Sequence, residues 1–464
     1  TDSGTADCCR VKALRDGEKP STMLRVASSS VVAAARAAPL RAVLAASSRS
    51  LSSLKPLDEE YLGSPGTMPT AAIAPVTKVS TLSNGAKVVT RESGQLGASV
   101  GIVVGSGSRD ESAAQTGASL HLEGMAYKLT QERSSIRLMR DVENAGGNLA
   151  AARGREKMLY VSECPPDSAG EVLSAIAESV VSPKITPWEM TDASAKLSEV
   201  ILHRHGESTA DQVDEALHAA AFGDSSSLGK PLTVGPCKLS VDGLKGFRDG
   251  RYKASGMTVV GVNVPHDALK SEAEVALGAA DSSAPAARSP AKYRGGEIRL
   301  KNDIGSTSVS IAFAAPAGSD SSAAAYEVLG ALLNARAAAA TPTASGFNVA
   351  YSDAGLVGVT GTCTNSDAAT LTRALASCFA GLAQGPSAAE VDASITAAKV
   401  SRGLRMETPL YTLLTLADSA VVGTDPASVA SALDGVTASA VQAAAAAALK
   451  SGMSVAAVGN ISEV

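Results

Sequence analysis

The residues of this chain that could do chemistry gather first at positions 117–130, which read Gly-Ala-Ser-Leu-His-Leu-Glu-Gly-Met-Ala-Tyr-Lys-Leu-Thr. A zinc-hydrolase helix carries two histidines four apart, so that both imidazoles stand on one face and reach one ion. A glutamate between them then serves as base on the metal-bound water. Here Glu123 supplies the acid, but Leu120 and Gly124, placed around it at that spacing, donate nothing. His121 is no substitute, because residues two apart on a helix point about 200° away from each other. A catalytic zinc takes three protein ligands and keeps one position open, and this helix cannot supply its share.

Other candidates read more simply as structure. Gly105-Ser106-Gly107-Ser108 has too few glycines for a phosphate cradle and no Gly-Lys-Ser/Thr after it, so it reads as a polar turn. His203 and His205 lie two apart in an expected helix, where their rings diverge. Arg153, Arg155 and Glu156 are accounted for by an ordinary ion pair. No nucleophile elbow or triad pattern is present. Glu123 reads as a helix-surface or chamber-wall carboxylate, since a general base without a metal-bound water has nothing to activate.

The elements that hold these residues must be built with few aromatics, which are 3 % of the 464 residues, so the cores rest on Ala, Val, Leu and Ile. A net charge of −5 argues against a nucleic-acid partner. The charge is uneven: residues 1–57 hold nine Lys/Arg and four Asp/Glu, leaving 32 against 42 in residues 58–464. From Lys19 to Leu57 there is no acid, and Arg25, Arg36, Arg41, Arg49 and Lys55 are spread among Ala, Ser, Val and Leu. That is the composition of a mitochondrial transit peptide, with Met23 as a start and cleavage expected near Leu51 to Ser53. Residues 1–22 read as upstream sequence. No uncharged stretch of 18 apolar residues occurs, so no spanning helix is expected. The cysteines, Cys8, Cys9, Cys164, Cys237, Cys363 and Cys378, form no Cys-x-x-Cys pair and suit free thiols in a reducing compartment.

The chain repeats itself. Asn148-Leu149-Ala150 leads to Cys164 and Asp167, as Asn348-Val349-Ala350 leads to Cys363 and Asp367. Asp192-Ala193-Ser194 returns as Asp392-Ala393-Ser394, and Ser255-Gly256-Met257 as Ser451-Gly452-Met453. Offsets near 200 are far too long for solenoid units and indicate two homologous halves. In the first half, residues 76–104 alternate around Ser83-Asn84-Gly85, a hairpin signal. A second hairpin is expected over 148–163, helices over 169–181 and 188–206, and a buried strand over 257–264. In the second half, strands at 297–299 and 306–314 precede a helix at 323–335. The fold class is α+β: antiparallel-rich sheets with helices on one face. The expected divisions are a leader over 1–53, an extension over 54–75, halves over 76–276 and 293–464, and a Ser/Ala/Pro-rich linker over 277–292.

Residues 117–130 resemble the metal-binding helix of the mitochondrial processing peptidase (M16 zinc peptidase) family, whose frame is similar to Gly-x-x-His-x-x-Glu-His-Met-x-Phe-Lys-Gly-Thr. Gly117, Leu122, Glu123, Met125, Ala126, Tyr127, Lys128 and Thr130 keep that frame, and Leu120 and Gly124 stand at its histidines. The family's third ligand is a Glu near a run resembling Val-Ile-Leu-Arg-Glu. Here Val200-Ile201-Leu202-His203-Arg204 puts Arg204 in its place, with Glu199 and Glu207 nearby. A permanent cation there repels a metal. The resemblance implies two M16-like halves and a degenerate zinc site.

Residues 293–299, Tyr-Arg-Gly-Gly-Glu-Ile-Arg, and 347–358, Phe-Asn-Val-Ala-Tyr-Ser-Asp-Ala-Gly-Leu-Val-Gly, resemble the core 2 branch of the family most. So do 145–147 and 217–222. That branch implies a structural, non-catalytic subunit of the cytochrome bc1 complex, peripheral on the matrix side of the inner membrane. It would bind no zinc, haem or iron–sulfur cluster, and would partner a core 1 homologue, cytochrome b, cytochrome c1 and the Rieske subunit. Two alternatives stand beside it: the non-catalytic alpha subunit of the processing peptidase, and an active zinc peptidase with displaced ligands. The alpha subunit is known for a Gly-rich presequence loop, and the matching residues 332–346 hold a single Gly.

Overall fold

The computed structural model describes residues 75–94, 97–224, 226–233, 239–382, 385–425, 428 and 431–461, without the side chains of Val200 and residues 202–207. The leader, the 54–75 extension before Pro75, Cys8, Cys9 and Cys237 lie outside the described residues, as do the side chains of His203, Arg204, His205 and Glu207.

The alternation over 76–104 becomes β1 (Val76–Thr81), β2 (Lys87–Glu92) and β3 (Ala98–Val104). Antiparallel pairing of β1 with β2 turns at residues 83–85, where Gly85 takes a φ of +90° that a side chain resists. A buried 3-10 turn (Ser108–Asp110) leads into α1 (Ala118–Gly124) and α2 (Ser135–Asn144). The second hairpin is β4 (Ala150–Arg153) with β5 (Met158–Cys164). Four helices follow: α3 (Ala169–Val181), α4 (Pro187–Glu207), α5 (Thr209–Phe222) and α6 (Val241–Arg251). β6 (Met257–Val262) and α7 (His266–Ala276) close the half.

The second half repeats the order. β7 (Gly296–Lys301) and β8 (Ser306–Ala315) precede α8 (Ala323–Ala340), which runs five residues past its expected end. Then come β9 (Ala344–Ala350), β10 (Gly355–Thr364), α9 (Ala368–Ser377) and α10 (Ala388–Arg405), which opens on a Ser387/Glu390 capping box. α11 (Pro409–Val422), α12 (Ala438–Lys450) and β11 (Met453–Gly459) end it.

The sheet orders are β1-β2-β6-β3-β5-β4 and β7-β11-β8-β10-β9. Removing β1 makes them the same: β2 and β7 pair parallel with β6 and β11, and every other pair is antiparallel. Residues 148–167 and 348–367 occupy matching positions, so the duplication read from the repeats is a duplication of structure.

Helices do not cover one face only. In the first sheet, Val88, Val100, Ile102, Met158 and Tyr160 pack on α3 helix residues such as Leu173 and Ile176. The opposite face, Val89, Val103, Leu159, Val161, Val260 and Val262, is covered by Leu413, Leu416 and Ala417 of α11 from the other half. Reciprocally, Val213, Ala216, Leu217, Ala221 and Phe222 of α5 cover Ala312, Leu356, Ala456 and Val458 of the second sheet. A strand alternates its side chains between faces, so a sheet this apolar on both sides must find two coats. Each half lends one helix to the other. Cys164 and Cys378 are buried and Cys363 is half-buried, all as free thiols, and burial pushes the Cys164 thiol up to about 11.

Candidate functional site

Gly117, at a φ of +85°, precedes α1. The buried Glu111 carboxylate holds this helix start, accepting from the backbone N–H groups of Gly117 at 2.7 Å and Ser119 at 2.8 Å and from the Ser119 hydroxyl at 2.6 Å. Burial pushes the Glu111 carboxyl up, and these hydrogen bonds together with Lys230 oppose that shift. Glu111 carries no local signal in the sequence, because it lies seven residues before α1 and outside any capping-box spacing.

α1 lies on α4, whose Met190, Ala193 and Ile201 are buried at helical spacing. Two contacts fix the approach. The His121 Nδ1–H donates to the Gly117 carbonyl at 2.8 Å, and Nε2 lies 2.9 Å from the Ser194 hydroxyl oxygen. Gly124 faces Leu197, and a Cβ built on it would stand 3.1 Å from Leu197 Cδ1. Leu120 is buried at 3 % exposure.

Glu123 forms an ion pair with Arg153 of β4. The guanidinium also donates from Nε to the Leu232 carbonyl at 3.2 Å and from Nη2 to Thr233 Oγ1 at 3.4 Å. Ordinary ion pairs account for Arg153, Arg155 and Glu156, as the sequence suggests, and these pairs reach outside the segment. Arg153 turns to Glu123, Glu156 pairs with Arg109, and Arg155 stands 3.8 Å from Asp214 on α5. The segment lies at the β4–β5 turn, where neighbouring side chains leave in different directions and reach three separate elements.

These residues do not fit a zinc ion. Leu120 and Gly124 have no donor atoms, Leu197 fills the space beside Gly124, and an Arg153 guanidinium, itself cationic, takes the Glu123 carboxylate. His121 is engaged elsewhere, and Glu199 is exposed. Among the described residues, no three His, Cys, Asp or Glu side chains gather as a metal-holding group. The 105–108 stretch is a turn packed against the β4–β5 hairpin, with Ser106 and Ser108 buried.

The comparisons agree with this architecture. Residues 87–233 match the model of Insulinase (Peptidase family M16), and residues 238–398 match that of the Peptidase M16 inactive domain. The chain belongs to peptidase family M16, and its fold is the two-part α+β fold of that family. Among its relatives is the mitochondrial-processing peptidase subunit alpha-2 of Dictyostelium discoideum, 30% identical over 313 residues, covering 61% of this chain and 69% of that protein. The mitochondrial-processing peptidase subunit alpha of Solanum tuberosum is 29% identical over 266 residues, 57% of this chain and 52% of the relative. The human cytochrome b-c1 complex subunit 2, mitochondrial, is 28% identical over 306 residues, 60% of this chain and 65% of the relative. The chain thus spans between half and about two thirds of these proteins. Among the described residues, no helix is long and apolar enough to cross a membrane.

Proposed function

We propose that this chain is a non-catalytic M16 subunit serving as core subunit 2 of the mitochondrial cytochrome bc1 complex. Its place is the matrix side of the inner membrane, beside a core 1 homologue and in contact with cytochrome b, cytochrome c1 and the Rieske subunit. Leu120, Glu123, Gly124 and Arg204 mark the degenerate zinc site, and residues 1–53 are removed on import. The observation that carries the non-catalytic reading is the Glu123–Arg153 pair beside Leu197, which leaves α1 nothing with which to hold or activate a water. Metal analysis of the purified chain should find far less than one zinc per molecule. A stoichiometric zinc lost on Glu123→Gln would sink the reading.

The connection after α8 favours the core 2 role. Residues 332–340 are helical, and only Thr341-Pro342-Thr343 separate the helix from β9, with Gly346 inside that strand. No open loop exists there to handle a presequence. The second reading, the alpha subunit of the soluble processing peptidase, is supported by the Dictyostelium and potato relatives. Solubilisation in mild detergent separates the two. A core subunit migrates with cytochromes b and c1 and resists salt extraction, whereas an alpha subunit is recovered after a salt wash as a soluble heterodimer with presequence-cleaving activity.

A further inference from the structure

Where the two halves and the segment joining them meet, the molecule buries a set of charges that its proposed function does not use. Arg109, in the turn after β3, has a side chain only 1 % exposed. Its two terminal nitrogens donate to both Asp353 oxygens at 2.9 Å each, and Asp353 lies in the β9–β10 turn of the other half. The same guanidinium pairs with Glu156 and donates to the Ser289 carbonyl of the joining segment at 2.9 Å. Glu156 in turn accepts from the Ser352 N–H at 2.9 Å and the Ser352 hydroxyl at 2.6 Å, a second tie from first half to second.

The joining segment is held from both sides. Asp353 also accepts from the Ala291 N–H at 2.8 Å. Arg288 donates to the Gly105 carbonyl at 2.6 Å, to the Glu156 carbonyl at 2.9 Å and to Asp110 Oδ1 at 3.2 Å. Asp110 is shared with Arg251 of α6 at 3.4 Å. A stretch rich in Ser, Ala and Pro is thereby pinned at three successive points, Arg288, Ser289 and Ala291.

We infer that the Arg109–Asp353–Glu156 cluster is a latch that holds the two halves and their linker in a single relative arrangement, so that the halves do not hinge. A buried ion pair adds little net stability, because desolvation offsets the attraction. What it does is penalise every arrangement that separates the partners, since each then leaves a charge buried and unpaired. Bidentate geometry sharpens that penalty, because both nitrogen–oxygen bonds are lost together. The exchange of α5 and α11 brings the halves together, and the latch selects one orientation among those an apolar interface tolerates.

Native-state proteolysis of the full chain tests this, with trypsin cleavage after Arg288 as readout. Cleavage requires the Arg288 segment to leave its partners. Asp353→Ala removes the acceptor for both Arg109 and Ala291, and its side chain is 31% exposed, so the variant should fold. It is expected to be cut after Arg288 at least ten-fold faster than the parent at unchanged far-UV circular dichroism. Arg109→Gln should do the same or more, and Lys301→Gln, a remote exposed charge, should leave the rate unchanged. If folded Asp353→Ala is cut at the parent rate, the latch is refuted, whether or not Arg109→Gln folds.

Discussion

α5 and α11 are the same helix of the repeat, each laid on the sheet of the other half, and they are seated by different chemistry. Their buried positions coincide at an offset of 200: Val213 with Leu413, Ala216 with Leu416, Leu217 with Ala417. Large and small residues have changed places at the last two pairs, so apolar volume is kept while its distribution shifts. α11 meets its sheet mainly through apolar side chains, with Leu413 and Leu416 fully buried, and adds only the Asp418–Lys157 ion pair beside β5. α5 adds polar anchors. Thr209 Oγ1 lies 2.7 Å from Ser308 Oγ, and His218 Nε2 lies 2.7 Å from the Tyr351 hydroxyl. One topological device therefore has a copy seated in part by a buried imidazole and a copy that is apolar apart from one ion pair at its edge.

Truncating the apolar seat should have the largest effect. Leu413→Ala or Leu416→Ala should each cost about 2–5 kcal/mol of stability, the range for emptied leucine sites. Urea unfolding at pH 5 and pH 8 should show the same loss for each variant. A loss at one pH only would break the contrast with α5.

His218 should carry the pH dependence. Burial lowers its pKa to about 4; Arg155 adds to that, and Asp214 opposes it. Tyr351, the third group facing it, has its own hydroxyl pKa raised by burial. Because the folded pKa is depressed, the imidazole stays neutral in the native chain while the unfolded chain binds a proton below about pH 6.5. Stability is then full above pH 6.5 and falls as pH drops from 6.5 to 4, by on the order of 3 kcal/mol. His218→Gln should flatten this part of the stability–pH curve. An unchanged slope would remove His218 from the account.

A smaller difference separates α1 from α8, the helices that follow β3 and β8. A Cβ on Gly330 would meet Asn348 Cβ at 2.9 Å and backbone atoms of β9, whereas one on Gly124 meets only the movable end of Leu197. Gly330→Ala should therefore cost about 1–3 kcal/mol, the range for overpacking. In Gly124→Ala the leucine can turn aside and Ala favours the helix, so the change should stay within about 1 kcal/mol. Thermal melts of the two variants would test that order. Least of all, Ser194→Ala removes the partner of His121 Nε2 and should cost about 1 kcal/mol, measured in the same way.

Much of the framework was legible in the residues. The hairpin at 83–85 forms at its Asn-Gly turn, the helix expected over 169–181 is α3, and 188–206 falls inside α4. Such features depend on neighbours in the chain, through turn conformation and helical or alternating periodicity. The loss of donor atoms at Leu120 and Gly124 was equally plain, since side-chain chemistry does not depend on folding. The turn at 105–108 forms as its residues suggest, but nothing local signals that Arg109, Asp110 and Glu111 just beyond it are buried. A charge is placed inside only when distant partners satisfy it, and Glu156 and Asp353 lie 47 and 244 residues from Arg109.

By itself, then, the sequence determined the two first-half hairpins, the helices over 169–181 and 188–206, the duplication and the loss of two zinc-ligand positions, all of which follow from local pattern or from residue type. Tertiary structure alone decided where those pieces went. An apolar stripe on α5 or α11 says that a face is buried but not against which sheet, and either half offered a matching surface. The pairing of Glu123 with Arg153, the latch around Arg109 and the neutral His218 have the same origin. Each depends on groups far apart in the chain being brought within a few ångströms of one another, in surroundings dry enough to make their charges matter.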